Sequence, residues 1–577
     1  MKVSRDMQDN TFIHLEDVTF TYPGGEKPVL KNVSLSIERG DFVALIGGNG
    51  SGKTTLCKTL NGLIPHYYVG DFSGTVMVNG VGTTQAKVAE MSKHVGYVYQ
   101  DFENQIIRPT VLDDASFAPL NYGIRSFREQ GQKALQLTGL QQYASEFVWQ
   151  LSGGQKHLLA LASAMSLDPD ILIIDEPVAQ LDPQHARDIY DILKTFNERE
   201  QKTIIVIEHH TEFIAEYCKH VVLMDDGEVI WQKRTKEALS QVDELMSRHI
   251  YPPQVTQAAH RLNYSTLPVT LDEAVQQFRC PPKGNRDHAL LKQRLKTEAV
   301  IEIMNVSFSY KTVNRTRKQV LEDISISFNK GERVALVGNN GAGKSSLMRL
   351  ITGLTKPDQG QVMVKGINTR ESSPETLAEL VTFIYQNPEQ MFIDDSVRKD
   401  VEFFLKARNI SGYQQRVDDI LARFRLTDLQ ERDGRLMSGG QQRRASLAIG
   451  VAMNPAVMLL DEPTANLDMA TRKDILETMN QLEGQVETVI LATHDMELVA
   501  EWANRIIVMS NGQILHDGNR DSVFGDPDLL AQAGLVPPQI LELSQVLNLE
   551  RLCYTVEDFV ALQKEETANG VCSQTVG

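Results

Sequence analysis

Two short strings in this sequence hold the residue types that grip a nucleoside triphosphate. The pattern G-x-x-x-x-G-K-[ST] is met by Gly47, Gly52, Lys53 and Thr54, and met again by Gly338, Gly343, Lys344 and Ser345. Glycines there let backbone N–H groups turn toward anionic oxygens, the lysine reaches the β and γ phosphates, and the hydroxyl holds Mg2+. The full strings, GGNGSGKTT and GNNGAGKSS, add Asn49, Gly50, Ser51 and Thr55 to the first loop and Asn340, Gly341, Ala342 and Ser346 to the second. A nucleoside triphosphate is the expected ligand of both. Farther along, ILIIDEP and VMLLDEP end apolar runs in paired acids. Asp175 and Asp461 are placed to orient Mg2+ through its water shell, and Glu176 and Glu462 to polarise an attacking water. Neighbours on an extended strand face opposite ways, so the second acid must curl over the γ-phosphate as the strand ends.

A third pair of apolar runs, IIVIEH and VILATH, ends in His209 and His494, each expected to hydrogen-bond the γ-phosphate. The first half reads EHHT, so His210 competes with His209; alignment with Thr493-His494-Asp495 favours His209.

These residues need rigid supports. DFVALIGG and ERVALVGN are short apolar runs ending in glycine, each followed by a helical pattern that starts at the lysine. The acid-tipped runs have the look of central parallel strands whose carboxyl ends open onto a ligand crevice. Alternating apolar runs and helical stretches make each half an α/β domain on a mostly parallel sheet.

The two halves carry the same strings in the same order, so the repeat unit is a whole domain. LSGGQ at Leu151 to Gln155 returns as MSGGQ at Met437 to Gln441. Counterparts keep a nearly constant separation, and one insertion, LIPHYYVGDFS between Gly62 and Gly74, explains most of the drift. The tails match too: PPQ at Pro252 to Gln254 and at Pro537 to Gln539, each followed by an amphipathic stretch and an acidic motif, LDEA or VEDF. A Pro- and Gly-bearing stretch from Cys280 to Arg294 reads as the linker, with the boundary near Thr297. The expected domains are 11–235 and 298–525, each with an extension, 236–297 (including the linker) and 526–577.

LSGGQ and MSGGQ just upstream of the acidic strand, together with the phosphate loops, resemble the signature of ABC ATPases over about residues 11–235 and 300–520. That resemblance implies two tandem P-loop NTPase (ABC-type) domains, each with a mostly parallel core sheet, an antiparallel β subdomain and a helical signature subdomain, plus small C-terminal extensions. It implies that the signature of one domain caps the ATP held by the other: Ser438, Gly439, Gly440 and Gln441 with Lys53, and Ser152, Gly153, Gly154 and Gln155 with Lys344. It further implies adenine stacking on Tyr22 and Tyr310, contacts of Gln100 and Gln386 with Mg2+ or water and with a membrane partner, and communication between sites through Asp182 and Asp468. The first half departs at Val178 for Thr464, Glu208 for Thr493 and KHLL for QRRA after the signature. None of these removes a phosphate, metal or base residue, so ATP hydrolysis is expected at both sites.

Within that family the chain is most similar to the ATPases of energy-coupling factor (ECF) importers of vitamins and transition-metal ions. QDFENQI and QNPEQMF resemble that group's glutamine segment, NGLIPHYY its longer loop and the PPQ tails its extensions. The resemblance implies a transmembrane scaffold subunit and a substrate-capture membrane subunit as partners, with Glu103 and Glu389 suited to an arginine of the scaffold. A tandem translation factor of the ABC-F class is the alternative, but the long basic inter-domain arm expected of it is not found.

Composition agrees. A formal net charge of -17, from 58 Lys+Arg against 75 Asp+Glu, argues against a surface for nucleic-acid phosphates. No apolar run approaches the roughly 18 to 20 residues that span a bilayer, and MKVSRDMQDN lacks a secretory apolar stretch. The expected place is the cytoplasm, peripheral on the inner face of the cell membrane. Five scattered cysteines, without CxxC spacing, fit reduced, packed thiols.

Overall fold

The computed structural model describes residues 11–178, 181–278, 298–311, 317–465, 467, 469–482 and 484–568. The linker from Cys280 to Arg294, the boundary near Thr297 and Asp468 lie outside the described residues. The chain forms two compact units that divide between Gln277 and Phe278.

In the first unit a six-stranded sheet runs in the order Glu228–Arg234, His220–Asp225, Phe42–Ile46, Thr203–Ile207, Ile171–Asp175, Val95–Val98. All neighbours are parallel except the edge pair Glu228–Arg234 and His220–Asp225. Phe42–Ile46, Ile171–Asp175 and Thr203–Ile207 are buried at every residue, which is why they read as continuous apolar runs rather than alternating ones. The edge strand Glu228–Arg234 alternates instead, because one of its faces meets water.

A second, antiparallel sheet in the order Leu30–Glu38, Thr11–Thr21, Asp71–Val78, Val81–Gly82 lies in the same unit. Its inward residues Ile13, Leu15, Val18, Phe20, Val33 and Val76 share one core with Leu56 and Leu60 of the helix that follows the phosphate loop. A helical subdomain has its own small core of Val111, Ala115, Ala134, Leu135 and Leu140. The helix Gly153–Met165 joins it to the main body: Leu159 and Ala162 pack in the small core, Ala160, Leu161 and Met165 in the sheet's core.

The second unit repeats the plan, with a six-stranded sheet in the order Val381–Ile384, Val457–Asp461, Thr488–Ala492, Arg333–Val337, Arg505–Ser510, Gln513–Gly518 and a four-stranded antiparallel sheet. Each PPQ string opens a helix, Gln254–Arg261 and Gln539–Val546, and each acidic motif opens another, Leu271–Gln277 and Val556–Ala568.

Candidate functional site

Sheet order explains how residues far apart in the first half meet. Parallel strands about 4.8 Å apart bring four carboxyl ends into one row: Ile46 leads into the phosphate loop, Ile207 into Glu208-His209, Asp175 into Glu176, and Val98 into Tyr99-Gln100.

The loop itself depends on glycine. Gly47 and Gly52 have φ of 153° and 99°, and a Cβ on Gly47 would stand 2.3 Å from the Met224 carbonyl oxygen, so no other residue fits there. Gly52 caps the helix Lys53–Leu60, whose free N–H groups and dipole favour an anion. Lys53 Nζ donates to the carbonyls of Gly47 at 2.8 Å and Gly48 at 2.9 Å, and Lys344 Nζ to those of Gly338 at 2.6 Å and Asn339 at 3.2 Å. Each ammonium is thus wrapped by its own loop.

Thr54 Oγ1 donates to Asp175 Oδ2 at 2.9 Å. Burial raises the Asp175 pKa, opposed by that hydrogen bond, and the Glu176 charge adds to the rise. Asp461 rises for the same reason, with Ser345 as the opposing donor. A hydroxyl beside a buried carboxylate is the hard-oxygen pairing Mg2+ takes when phosphates and waters complete its shell. Among the described residues no group of three or more His, Cys, Asp or Glu gathers as a cage. Thr54 with Asp175, and Ser345 with Asp461, would hold Mg2+; when bound it neutralises charge on the phosphate oxygens.

The second acids leave the strand direction. Glu176 and Glu462 have φ of 53° and 46°, and their N–H groups still close the ladder on Ile207 and Ala492 at 3.0 and 2.9 Å. The strand thus ends in a left-handed residue that swings its carboxylate aside.

What holds each carboxylate differs between halves. Glu176 Oε2 accepts from Gln100 Nε2 at 2.8 Å, and Glu176 Oε1 lies 3.4 Å from His209 Nε2. His210 turns its ring edge toward Phe213 instead. In the second half Glu462 Oε1 pairs with His494 Nδ1 at 2.9 Å, and Oε2 accepts from Thr493 Oγ1 at 3.1 Å. Burial opposes a charge on His494, but the Glu462 carboxylate beside it outweighs that and holds its pKa above the usual imidazole value. Gln386 is exposed.

Ser152 caps the helix Gly153–Met165, accepting from Gln155 N at 3.3 Å while Gln155 Oε1 accepts from Ser152 N at 2.9 Å. Gln441 Oε1 accepts from Ser438 N at 3.1 Å in the same way. Ser152, Gly153, Ser438 and Gly439 are exposed, so each helix start presents N–H groups outward. Gly154 and Gly440 face inward: a Cβ there would meet His185 Cδ2 at 2.7 Å or Thr471 Cγ2 at 2.3 Å.

Tyr22 and Tyr310 are half-buried, each edge-on to a phenylalanine at 4.8 Å and each 3.3 Å from a hydroxyl of the phosphate-loop helix, Thr55 or Ser346. Asp182 caps the helix Pro183–Glu198 and bonds the His185 ring at 2.8 Å. Glu103 is ion-paired with Lys156 at 2.8 Å, so in the first half a lysine of the chain itself already faces the acid expected to meet a scaffold cation; Glu389 is exposed.

Several participants escape sequence reading. Tyr97 OH reaches Asp175 Oδ2 at 3.4 Å. Arg443 donates to the backbone of the glutamine segment, and its counterpart His157 stacks on Phe102 with centroids 4.4 Å apart. The exchanges of Thr493 for Glu208 and QRRA for KHLL are visible as departures from the repeat; the bonds they make are not.

The chain is similar to proteins of one known family. The profile of the family described as ABC transporter matches residues 30–179 and 321–465. A protein of Methanosarcina acetivorans named as an ABC transporter ATP-binding protein is 31% identical over 96% of this chain and 91% of its own length. A likewise named protein of Caldanaerobacter subterraneus is 31% identical over 96% of this chain and 99% of its own. Among solved structures, CbiO1 of Clostridium perfringens, part of the ABC transporter complex CbiONQ, is 29% identical over 42% of this chain and 96% of that one, with a TM-score of 0.38.

Proposed function

Since the chain belongs to the ABC transporter family of ATP-binding proteins and is an ATPase with two tandem cassettes, we propose that it energises an ECF-type importer of a vitamin or a metal ion. In this reading it sits on the cytoplasmic face of the cell membrane, bound to a transmembrane scaffold that works with a separate capture subunit. Its two ATP sites are composite, Ser438 to Gln441 completing the site of Lys53 and Ser152 to Gln155 that of Lys344. An outward helix start with free N–H groups attracts a γ-phosphate, so ATP closes the halves and hydrolysis releases them. Glu176 and Glu462 serve as bases, with Gln100, Gln386, His209 and His494 around the reacting phosphate.

The observation that carries the importer reading is the position of the glutamine segments. Gln100 follows the edge strand Val95–Val98 and donates to Glu176, while the next turn, Phe102–Gln105, contacts the signature helix through Lys156 and His157. A partner pressing on that segment would act on both the base and the signature. The test is co-purification with a transmembrane scaffold and a capture subunit, followed by ATP-driven uptake in proteoliposomes. Glu389→Lys should weaken scaffold binding more than ATPase activity in detergent; stable assembly with no ATP-dependent uptake of any vitamin or metal ion would refute the reading.

A further inference from the structure

We propose that Thr493 is a positioning residue for the base Glu462, and that in the first half this task passes to Gln100 because Glu208 stands in the threonine's place. The Thr493 hydroxyl has two neighbours. It accepts from Asp495 N at 3.0 Å and donates to Glu462 Oε2 at 3.1 Å. With a lone pair committed to the Asp495 N–H, its proton points at the carboxylate. Thr493 is fully buried and β-branched, so the hydroxyl is not free to turn toward water. Its own N–H is bonded to the Leu336 carbonyl at 3.1 Å, on the strand Arg333–Val337 that leads into the phosphate loop. The base is therefore referenced to the strand that carries the triphosphate site.

Glu208 keeps that backbone place, its N–H facing the Leu45 carbonyl at 3.4 Å, but its side chain does the opposite work. It accepts from His209 N at 2.8 Å, His210 N at 2.9 Å and Tyr190 OH at 2.8 Å. Those three donors occupy both of its oxygens and turn the carboxyl toward its own backbone and Tyr190 rather than toward Glu176. The Glu176 carboxylate takes Gln100 Nε2 instead. A histidine thus lies beside one oxygen of each base, His209 or His494, while the other oxygen is held from different loops: by Thr493 in the second half and by the glutamine segment in the first.

The inference rests on Glu462 acting as the base, and one assay separates the two claims. In the full chain carrying Glu176→Gln, hydrolysis of bound ATP is followed in a single turnover at rising ATP concentration. Thr493→Val, which keeps the shape and loses the hydroxyl, should lower the rate constant about tenfold, as expected for a lost hydrogen bond to a charged group, with half-saturation unchanged, and Thr493→Ser should restore it. If Val does not fold, the contrast of Thr493→Ser with Thr493→Ala reads the same hydroxyl. A wild-type rate in the Val or Ala variant, or a loss that Ser fails to recover, overturns the positioning role. If Glu462→Gln itself leaves the rate intact in this background, the base assignment is what fails.

Discussion

Arg443 Nη2 donates to the carbonyl oxygen of Gln386 at 2.8 Å, so the signature helix holds the backbone of the glutamine segment directly. Nη1 adds the Tyr385 carbonyl at 3.0 Å. The guanidinium is buried, and burial pushes its pKa down to about 10. Arg443→His, which installs the first half's residue, removes both bonds and leaves the carbonyls of half-buried Tyr385 and exposed Gln386 to find new donors. The expected cost is about 2–3 kcal/mol, measured as a lowered midpoint in thermal unfolding. An unchanged midpoint would mean the two bonds carry no net stability.

Glu176→Gln together with Glu462→Gln should retain ATP binding while turnover falls by roughly 10²- to 10⁴-fold, the usual share of a general base. Nucleotide retention on a desalting column and phosphate release report the two effects separately. Wild-type turnover would remove both glutamates from the base role.

Gly440→Ala puts a methyl 2.3 Å from Thr471 Cγ2. A β-branched neighbour on the helix Met469–Asn480 cannot swing away cheaply, so a loss of about 1–3 kcal/mol is expected, with the N-terminus of the signature helix displaced. Gly154→Ala meets the His185 ring at 2.7 Å, a ring that Asp182 already holds by hydrogen bond. Both variants should lower ATPase activity and unfolding midpoint together; an activity loss without a midpoint shift would place the effect at the nucleotide instead.

The phosphate loops, the strand-end acids and the α/β plan were legible because each is written in a contiguous string. Phe42–Ile46 and residues 171–174 are apolar without interruption, and Asp175 and Glu176 follow directly in the chain. The contacts that distinguish the halves were not. Arg443 and Gln386 are brought together by a helix crossing a sheet edge, and nothing in the periodicity of either segment names the other. Likewise EHHT leaves two histidines open, and only the geometry puts His209 Nε2 beside Glu176 and the His210 ring beside Phe213. Glu208 stood out as a mismatch with Thr493, yet whether its carboxylate faced the base or its own backbone depended on three-dimensional donors: two N–H groups and the Tyr190 hydroxyl.

His157 gives a pH dependence with a definite sign. Burial pushes its pKa down to about 4, its Nδ1 has no hydrogen-bond partner among the described residues, and its ring lies on Phe102. The folded value is below the ordinary 6.5 of the free side chain, so the neutral ring is favoured by folding. Its contribution is complete above pH 6.5 and is lost as pH falls toward 4, a difference on the order of 3 kcal/mol. Unfolding midpoints from pH 7 to 4 should therefore fall less steeply in His157→Phe than in the wild type; parallel curves would mean that the ring is not buried neutral.

The left-handed turn at Glu176 and Glu462 confines what those positions can become. A backbone at φ near 50° admits Gly, Asn, Asp and unbranched side chains at a cost of about 1–2 kcal/mol or less, but sets β-branched residues against their own carbonyl. The alphabet for a silenced motor is accordingly narrow: Gln, Asn or Gly inherit the bend and stop the chemistry alone, whereas Val, Ile or Thr would also pry the central sheet apart at its tip.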